Sequence, residues 1–472
     1  MRVLEGLRPT EALRYFEEIC AIPHGSRDTK RISDYCVRFA EAHGLRYVQD
    51  AHNNVVIYKP ATEGYENHPT VILQGHLDMV CEKDADCDID FSTDGLRLTH
   101  DGTYISAEGT TLGGDDGIAV AYALAILAAD DLRHPALEAV FTVDEEIGML
   151  GADAMDMSVL KGRILLNCDS EDEGILTVSC AGGATSRLER PIERGTCEGK
   201  VYKLSVRDLI GGHSGVEINK GRANANVVLA NILKDLPVRL ISIQGGGKDN
   251  AITRASEALV VAGEGIAAAF ADACEAAKKT LPAGETEVKF GCEAAETDLA
   301  PMTEAVSRAV IDLLCALPSG VQKMSADIEG LVQTSLNMGI LKTEDACVSM
   351  TFSVRSSVNS EKTALIDSLK RIGAAHGAVY SESGAYPAWE YRRDSRLRET
   401  MVTTFRDLYG REPQVEAIHA GLECGIFCDR LKGLDAVSFG PQMHDIHTSR
   451  ERLEIASVER TWNYLLAILE RL

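Results

Sequence analysis

No stretch of this chain is long and apolar enough to span a bilayer, and the amino-terminal "MRVLEGLRPTEALRYFEEI" carries charges every few residues without an apolar core. A membrane span and a secretory signal are therefore not expected, and the chain reads as cytoplasmic. It has no C-x-x-C pair. Its 13 cysteines are scattered and odd in number, which argues against a disulfide framework or a zinc finger and for reduced, mostly buried thiols. Basic charge is in deficit, with 48 Lys and Arg against 72 Asp and Glu and a formal net charge of -24. Nucleic acid and anionic membrane surfaces are repelled by that balance, so neither is expected as a partner. What the chain does have is length and apolar content: 472 residues at 45% hydrophobic, enough for roughly three domain-sized units with buried cores.

From about residue 10 to 180, helical and strand patterns alternate. "PTEALRYFEEICAI" and "TKRISDYCVRFAEAHG" repeat every 3.6 residues, "NNVVIYK", "TVILQGH", "AVFTVDEE" and "GRILLNCD" read as short apolar strands, and "GIAVAYALAILAA" reads as a buried helix. This is α/β patterning. Between about 184 and 384 longer, half-polar strands alternate with helices, as in an open-faced sheet covered on one side. The apolar pattern then returns after about 385 in a segment too short to fold alone, so it is expected to complete the first domain. Within the insert, "VYKLSVRDLIGGHSG", a helix and "GGGKDNAITRASEALVVAG" find a counterpart in "TSLNMGILKTEDACVSMTFSVRSS" followed by helix and strand. That similarity suggests an internal repeat.

Polar residues gather where the apolar strands end. "TVILQGHLDMV" places His76 and Asp78 two apart at a strand exit, able to share one face. "LEAVFTVDEEIGM" runs into Asp144, Glu145 and Glu146, which taken alone read equally as a solvated turn. "EGTTLGGDDGIAVAYALA" puts Asp115 and Asp116 in a glycine-rich turn that opens a helix. A phosphate loop is disfavoured there, because the acids would repel phosphate and no lysine follows. "LLNCDSEDEG" ends another strand with Asp169, and "MHDIHTSRE" offers His444 and His447 after "AVSFG". Several strand ends delivering His, Asp or Glu together point to a bound cation at the carboxyl edge of a sheet. Imidazole with carboxylate oxygen suits zinc or another divalent transition metal.

"HLDM", "GTTLGGDDG", "DEEIGMLGA", "NCDSEDEG" and "IHTSRE" resemble the di-zinc metallopeptidase superfamily, and "IHAGLECGIF", "GGHSGVEINKGRANA" and "NAITR" resemble its aminoacyl-histidine dipeptidases, also called cytosolic non-specific dipeptidases. The resemblance covers essentially the whole chain. It implies a zinc-peptidase-like α/β catalytic domain with a mixed, mostly parallel central sheet over residues 1–183 and 385–472. An α+β lid domain with an internal duplication would be inserted at 184–384.

The ligands it implies are His76 and Asp169 for one Zn2+ and Glu146 and His447 for a second, with Asp115 bridging both and Co2+ or Mn2+ as alternative ions. Three ligand carboxylates and a hydroxide would balance two divalent charges, which lowers the cost of burying the cluster. Asp78 would orient His76. Glu145 would be the general base, taking a proton from a bridging water, and would point away from Glu146 because neighbours in an extended chain project oppositely. A cis peptide between Asp115 and Asp116 is implied too. The chain departs from the superfamily pattern at Gly114, where many members have alanine, and in lacking a lysine after Asp115.

From the lid, His213 would stabilise the oxyanion, with Asn250 and Arg355 gripping the substrate's carboxyl terminus. His213 and Asn250 fall in the first half of the insert and Arg355 in the second, so one chain is expected to complete its own site, with pairing of chains left open. Asp144, His419, Glu423 and His444 carry no assigned role. The expected activity is metal-dependent hydrolysis of dipeptides, Xaa-His among them. An N-acyl amino acid hydrolase or carboxypeptidase of the same superfamily is the alternative, and a metal-binding scaffold without catalysis the reading from another class.

Overall fold

The computed structural model describes residues 2–472, which form two compact units. The first comprises the chain up to Cys180, Tyr391–Ala417 and Leu422–Leu472; the second comprises Ala181–Glu390 with Ile418–Gly421.

An eight-stranded sheet forms the centre of the first unit. Its four middle strands, in the spatial order Leu137–Thr142, Val71–His76, Ile164–Asn167 and Asp435–Ser438, run parallel. Both Val71–His76 and Leu137–Thr142 are buried at every position, which is why their sequences lack the alternation of a half-solvated strand. The sheet is mixed, yet less parallel than the sequence suggested. Arg46–Gln49 and Val55–Lys59 add antiparallel at one flank, and Ile175–Cys180 meets Asp435–Ser438 antiparallel at the other. The first two strands are joined by a turn too short for a crossover, and such a hairpin can only be antiparallel. Helix Gly114–Ala128 is buried along nearly its whole surface, and its Tyr122, with Phe16 of helix Thr10–Cys20, is among the largest fully buried side chains. Each such side chain contributes roughly 1.5–3 kcal/mol of apolar transfer free energy.

In the second unit a nine-stranded sheet is antiparallel throughout its named pairings. Two βαββαβ motifs supply eight of its strands, and Gly320–Met324 adds the ninth beside Val332–Thr343. One uses strands Lys200–Arg207, Val238–Gly245, Ser256–Ala262 and Lys289–Ala294 with helices Ala225–Leu233 and Ile266–Lys278. The other uses Gly182–Pro191, Val332–Thr343, Cys347–Ser356 and Val379–Tyr386 with helices Glu304–Ala316 and Asn359–Ala375. Each motif lies in the spatial order fourth, first, third, second, and the second strands of the two pair antiparallel, as a twofold relation requires. The duplication is therefore nested: the complete motif of residues 200–294 interrupts the other after its first strand. The sequence comparison set Lys200–Arg207 against Val332–Thr343, whereas its structural counterpart is Gly182–Pro191. All four helices share one hydrophobic cluster with the sheet, through Leu229, Phe270, Val310 and Leu369 among others.

Candidate metal centre

All four parallel strands of the first unit deliver a polar group beyond their carboxyl ends, where open α/β sheets place ligands. His76 ends its strand; Glu145 and Glu146 follow Leu137–Thr142; Asp169 follows Ile164–Asn167; and His447 lies further along the chain after Asp435–Ser438, past the short strand Met443–His444. Asp115 comes from the first turn of Gly114–Ala128, where it and Asp116 have non-helical backbone and share a cis peptide bond. Asp115 stands between the two histidines, its Oδ1 at 3.1 Å from His76 Nε2 and its Oδ2 at 3.2 Å from His447 Nε2. His76 Nε2 is also 3.8 Å from Asp169 Oδ1, and His447 Nε2 is 3.0 Å from Glu146 Oε1. The implied ligands thus form two lobes that meet at one carboxylate.

The electrostatics fit divalent cations. Burial, then repulsion from Asp116, pushes Asp169 well above the usual carboxylate range. Burial likewise pushes Asp116 up, and Glu145 up to about 8. Burial would raise Asp115 as well, but bonds from His447 and His76 hold it below its ordinary value. The carboxylates Asp115 and Glu146 push His447 up to about 10. His76 is raised too, because Asp115 and Asp78 outweigh the burial that disfavours its charge. Protonated imidazoles thus supply the positive charge that cations would bring. Asp116 Oδ1 is buried without a hydrogen-bond partner, the buried Glu146 Oε1 faces His447 Nε2, and ligand atoms of His76, Asp115 and Glu146 lie within 4.8 Å of one another. The donor set is the imidazole and carboxylate oxygen that zinc accepts.

Two expectations about local geometry change. Glu145 and Glu146 do not belong to an extended strand: the strand stops at Thr142, Asp144 turns at φ 55°, and the Gly148 and Met149 amides close a turn on the Glu145 carbonyl. Opposite projection along a strand therefore does not separate their roles. The Asp78 carboxylate is 3.6 Å from His76 Nδ1, too far for a hydrogen bond. The Asp78 backbone carbonyl holds that nitrogen instead, at 2.8 Å. Its carboxylate accepts from Ser26 Oγ at 2.8 Å and from the Glu145 amide at 3.0 Å, so it fixes the turn that carries Glu145. Asp144, half-buried, accepts from the Arg27 amide at 2.5 Å.

Sequence reasoning missed one supporting residue, Glu451, and left the partners of Glu423, Asp116 and His444 open. Glu451, four positions after His447, accepts from the amides of Leu112, Gly113 and Gly114 at 2.8, 3.2 and 2.8 Å, which aims the turn bearing Asp115. The resembling "IHTSRE" contained it, but nothing in the spacing told where its carboxylate points. Glu423 is fully buried, with Gln74 and Thr142 donating to its Oε2 at 2.5 and 2.6 Å. Asp116 accepts from the His76 amide at 3.3 Å, and Gly75 leaves it room, since a Cβ there would lie 2.6 Å from Asp116 Oδ2. His444 pairs in a short strand and packs its ring on Tyr104.

The remaining candidates lie in the second unit. His213 belongs to a small two-stranded ribbon that Asn250 precedes: His213 pairs with Ala251, and the Ser214 amide donates to the Asn250 carbonyl at 2.8 Å. The Asn250 side is exposed. Arg355, on Cys347–Ser356, donates to the Tyr386 hydroxyl at 3.3 Å while its Nε is buried without a partner. After burial, its charge is the next influence lowering both His213 and His419, the latter to about 4. His419 Nε2 lies 2.7 Å from Ser335 Oγ. His213, Arg355 and His419 therefore form one polar group.

Residues 72–471 match the family model described as peptidase family M20/M25/M40. The chain is 36% identical to the cytosol non-specific dipeptidase of Escherichia coli K12, over 100% of this chain and 99% of that protein. It is also 36% identical to the aminoacylhistidine dipeptidase of Vibrio alginolyticus, whose crystal structure superposes with a TM-score of 0.94 over 99% of this chain and 98% of that one. An aminopeptidase PepT structure from Bacillus cereus, at 15% identity and TM-score 0.58 with 98% of each chain covered, shares the fold.

Proposed function

Since the chain belongs to peptidase family M20/M25/M40, we propose that it is a cytoplasmic metal-dependent dipeptidase, with Xaa-His dipeptides among its substrates and two Zn2+ as its ions. One observation carries this reading: Asp115 turns one oxygen to His76 and the other to His447, each histidine beside a further carboxylate. His76, Asp169 and Asp115 would hold one ion and His447, Glu146 and Asp115 the other. The pair would supply Lewis acidity toward the scissile carbonyl and lower the pKa of an attacking water.

Glu145 takes that water's proton and delivers it to the leaving amine, a task suited to a carboxyl whose affinity for protons is raised by its surroundings. Asp78 keeps Glu145 in place through its backbone amide. His213 donates to the oxyanion, while Arg355 and Asn250 take the substrate's terminal carboxylate, for which a guanidinium fork is well shaped. One chain carries all of these groups. The relatives named as dipeptidases support the substrate class, and the E. coli protein's description as cytosolic supports the location. No helix among the described residues is long and apolar enough to cross a membrane.

The test is a panel of dipeptides and N-acetyl amino acids assayed after chelation and metal return, with metal content measured alongside. Dipeptide hydrolysis lost with the metal and regained with Zn2+ is expected. Cleavage of N-acetyl amino acids alone, or metal binding without hydrolysis, would overturn the proposal.

A further inference from the structure

In "GGHSGVE" the His213 ring folds back on its own loop, so that Nδ1 receives two backbone amides, from Gly215 at 3.1 Å and from Val216 at 3.2 Å. An amide N–H only donates. Nδ1 must therefore present a lone pair, and the proton of the neutral ring resides on Nε2. An imidazolium would set an Nδ1–H against both amides and lose both bonds.

Glu217 holds the loop in this shape. Its Oε2 accepts from the His213 amide at 2.9 Å, and its Oε1 accepts from Arg222 Nη2 at 2.9 Å and from Lys220 Nζ at 2.8 Å. Arg222 also donates to the Gly211 carbonyl, and the Glu217 amide donates to the His213 carbonyl at 3.1 Å. Gly215 is needed because a Cβ there would sit 2.9 Å from His213 Cε1 and 2.9 Å from the His419 carbonyl. The charged and titratable groups around the ring are Glu217, Lys220 and Arg222 on its own loop, Arg355 on Cys347–Ser356, and His419. Burial and the Arg355 charge both disfavour a protonated ring, against the weaker pull of Glu217.

We infer that Glu217 is a positioning residue that locks His213 as the neutral Nε2–H tautomer, so that His213 acts only as a hydrogen-bond donor and leaves all proton transfer to Glu145. What Nε2 donates to rests on the function proposed above; the lock does not. The arrangement separates two jobs that one histidine elsewhere combines, since a ring with both nitrogens committed cannot also accept a proton.

Imidazole 15N NMR of full-length, metal-loaded, histidine-labelled protein reads the tautomer directly, with the His213 signal identified by its loss in His213→Ala. The wild type should show the Nε2–H pattern at neutral pH and retain it to about pH 6. Folded Glu217→Ala should show mixed tautomers or protonation there, and turnover lowered by roughly 10- to 100-fold at unchanged metal content. Glu217→Gln keeps an acceptor for the His213 amide and should stay near wild type. An Nδ1–H or imidazolium pattern in the wild type at neutral pH overturns the lock, whether or not the variants fold. An unchanged spectrum and turnover in Glu217→Ala overturns the part given to Glu217. A wild type with the Nε2–H pattern but no dipeptide hydrolysis upholds the lock and removes the functional reading.

Discussion

The two units handle polar groups in opposite ways. In the first, acids are carried to the ends of fully buried parallel strands and crowded until burial and mutual repulsion raise several of them. In the second, an antiparallel sheet supports a short ribbon whose histidine is fixed by main-chain amides and a single carboxylate, Glu217. A cation site needs concentrated negative charge, and only a rigid, apolar frame keeps such charge together. A hydrogen-bond donor needs only direction, which a loop's own backbone supplies.

That contrast is broken or sharpened first at Glu145. Glu145→Gln should lower turnover by about 10² to 10⁴-fold while metal content by elemental analysis stays unchanged; near-normal turnover would mean another residue is the base. His213→Ala in the second unit should lower turnover by roughly 10² to 10³-fold, again without metal loss. Mixing inactive Glu145→Ala with inactive His213→Ala under conditions that exchange subunits should recover no activity if one chain completes its site. Recovery would show that His213 works across two chains.

Glu451→Ala should act on metal instead, weakening affinity by about 10- to 100-fold as the Asp115 turn loses its anchor; unaltered affinity in a calorimetric titration would contradict that role.

The smallest effect concerns pH. His447, pushed up to about 10, must lose its proton to bind a cation, so metal affinity should climb with pH and level off above that value. Calorimetry in buffers of different ionisation enthalpy should show proton release on binding. In metal-free protein the sign for stability is the reverse. The ion pairs of His447 stabilise fully below the unfolded histidine's ordinary value of about 6.5, and their contribution fades as pH rises through about 10. The melting temperature of chelated protein should therefore fall over that interval.

Much of the first unit was legible because burial on both faces leaves unbroken apolar runs, and a run that leads into His76, Glu146 or Asp169 marks a candidate ligand by contrast. The α/β frame followed from the same runs. Less legible was anything set by backbone direction. Residues 144–146 form a turn where the sequence suggested extended chain, and the Asp78 carboxylate serves the Glu145 amide, a partner 67 residues away. Glu451 drew no reading from the sequence, because its partners are main-chain amides, which carry no sequence signature. The nested repeat was misaligned for a related reason: its first strand, Gly182–Pro191, is separated from its remaining elements by the whole of the other repeat.

At the centre of this account is Asp115 as the carboxylate shared by two ions. A crystal structure of the metal-loaded protein, with ions identified by anomalous scattering, tests it most directly. It should contain two ions roughly 3.5–4 Å apart, each bound by one oxygen of Asp115. A single ion, or two ions neither of which touches Asp115, would contradict it.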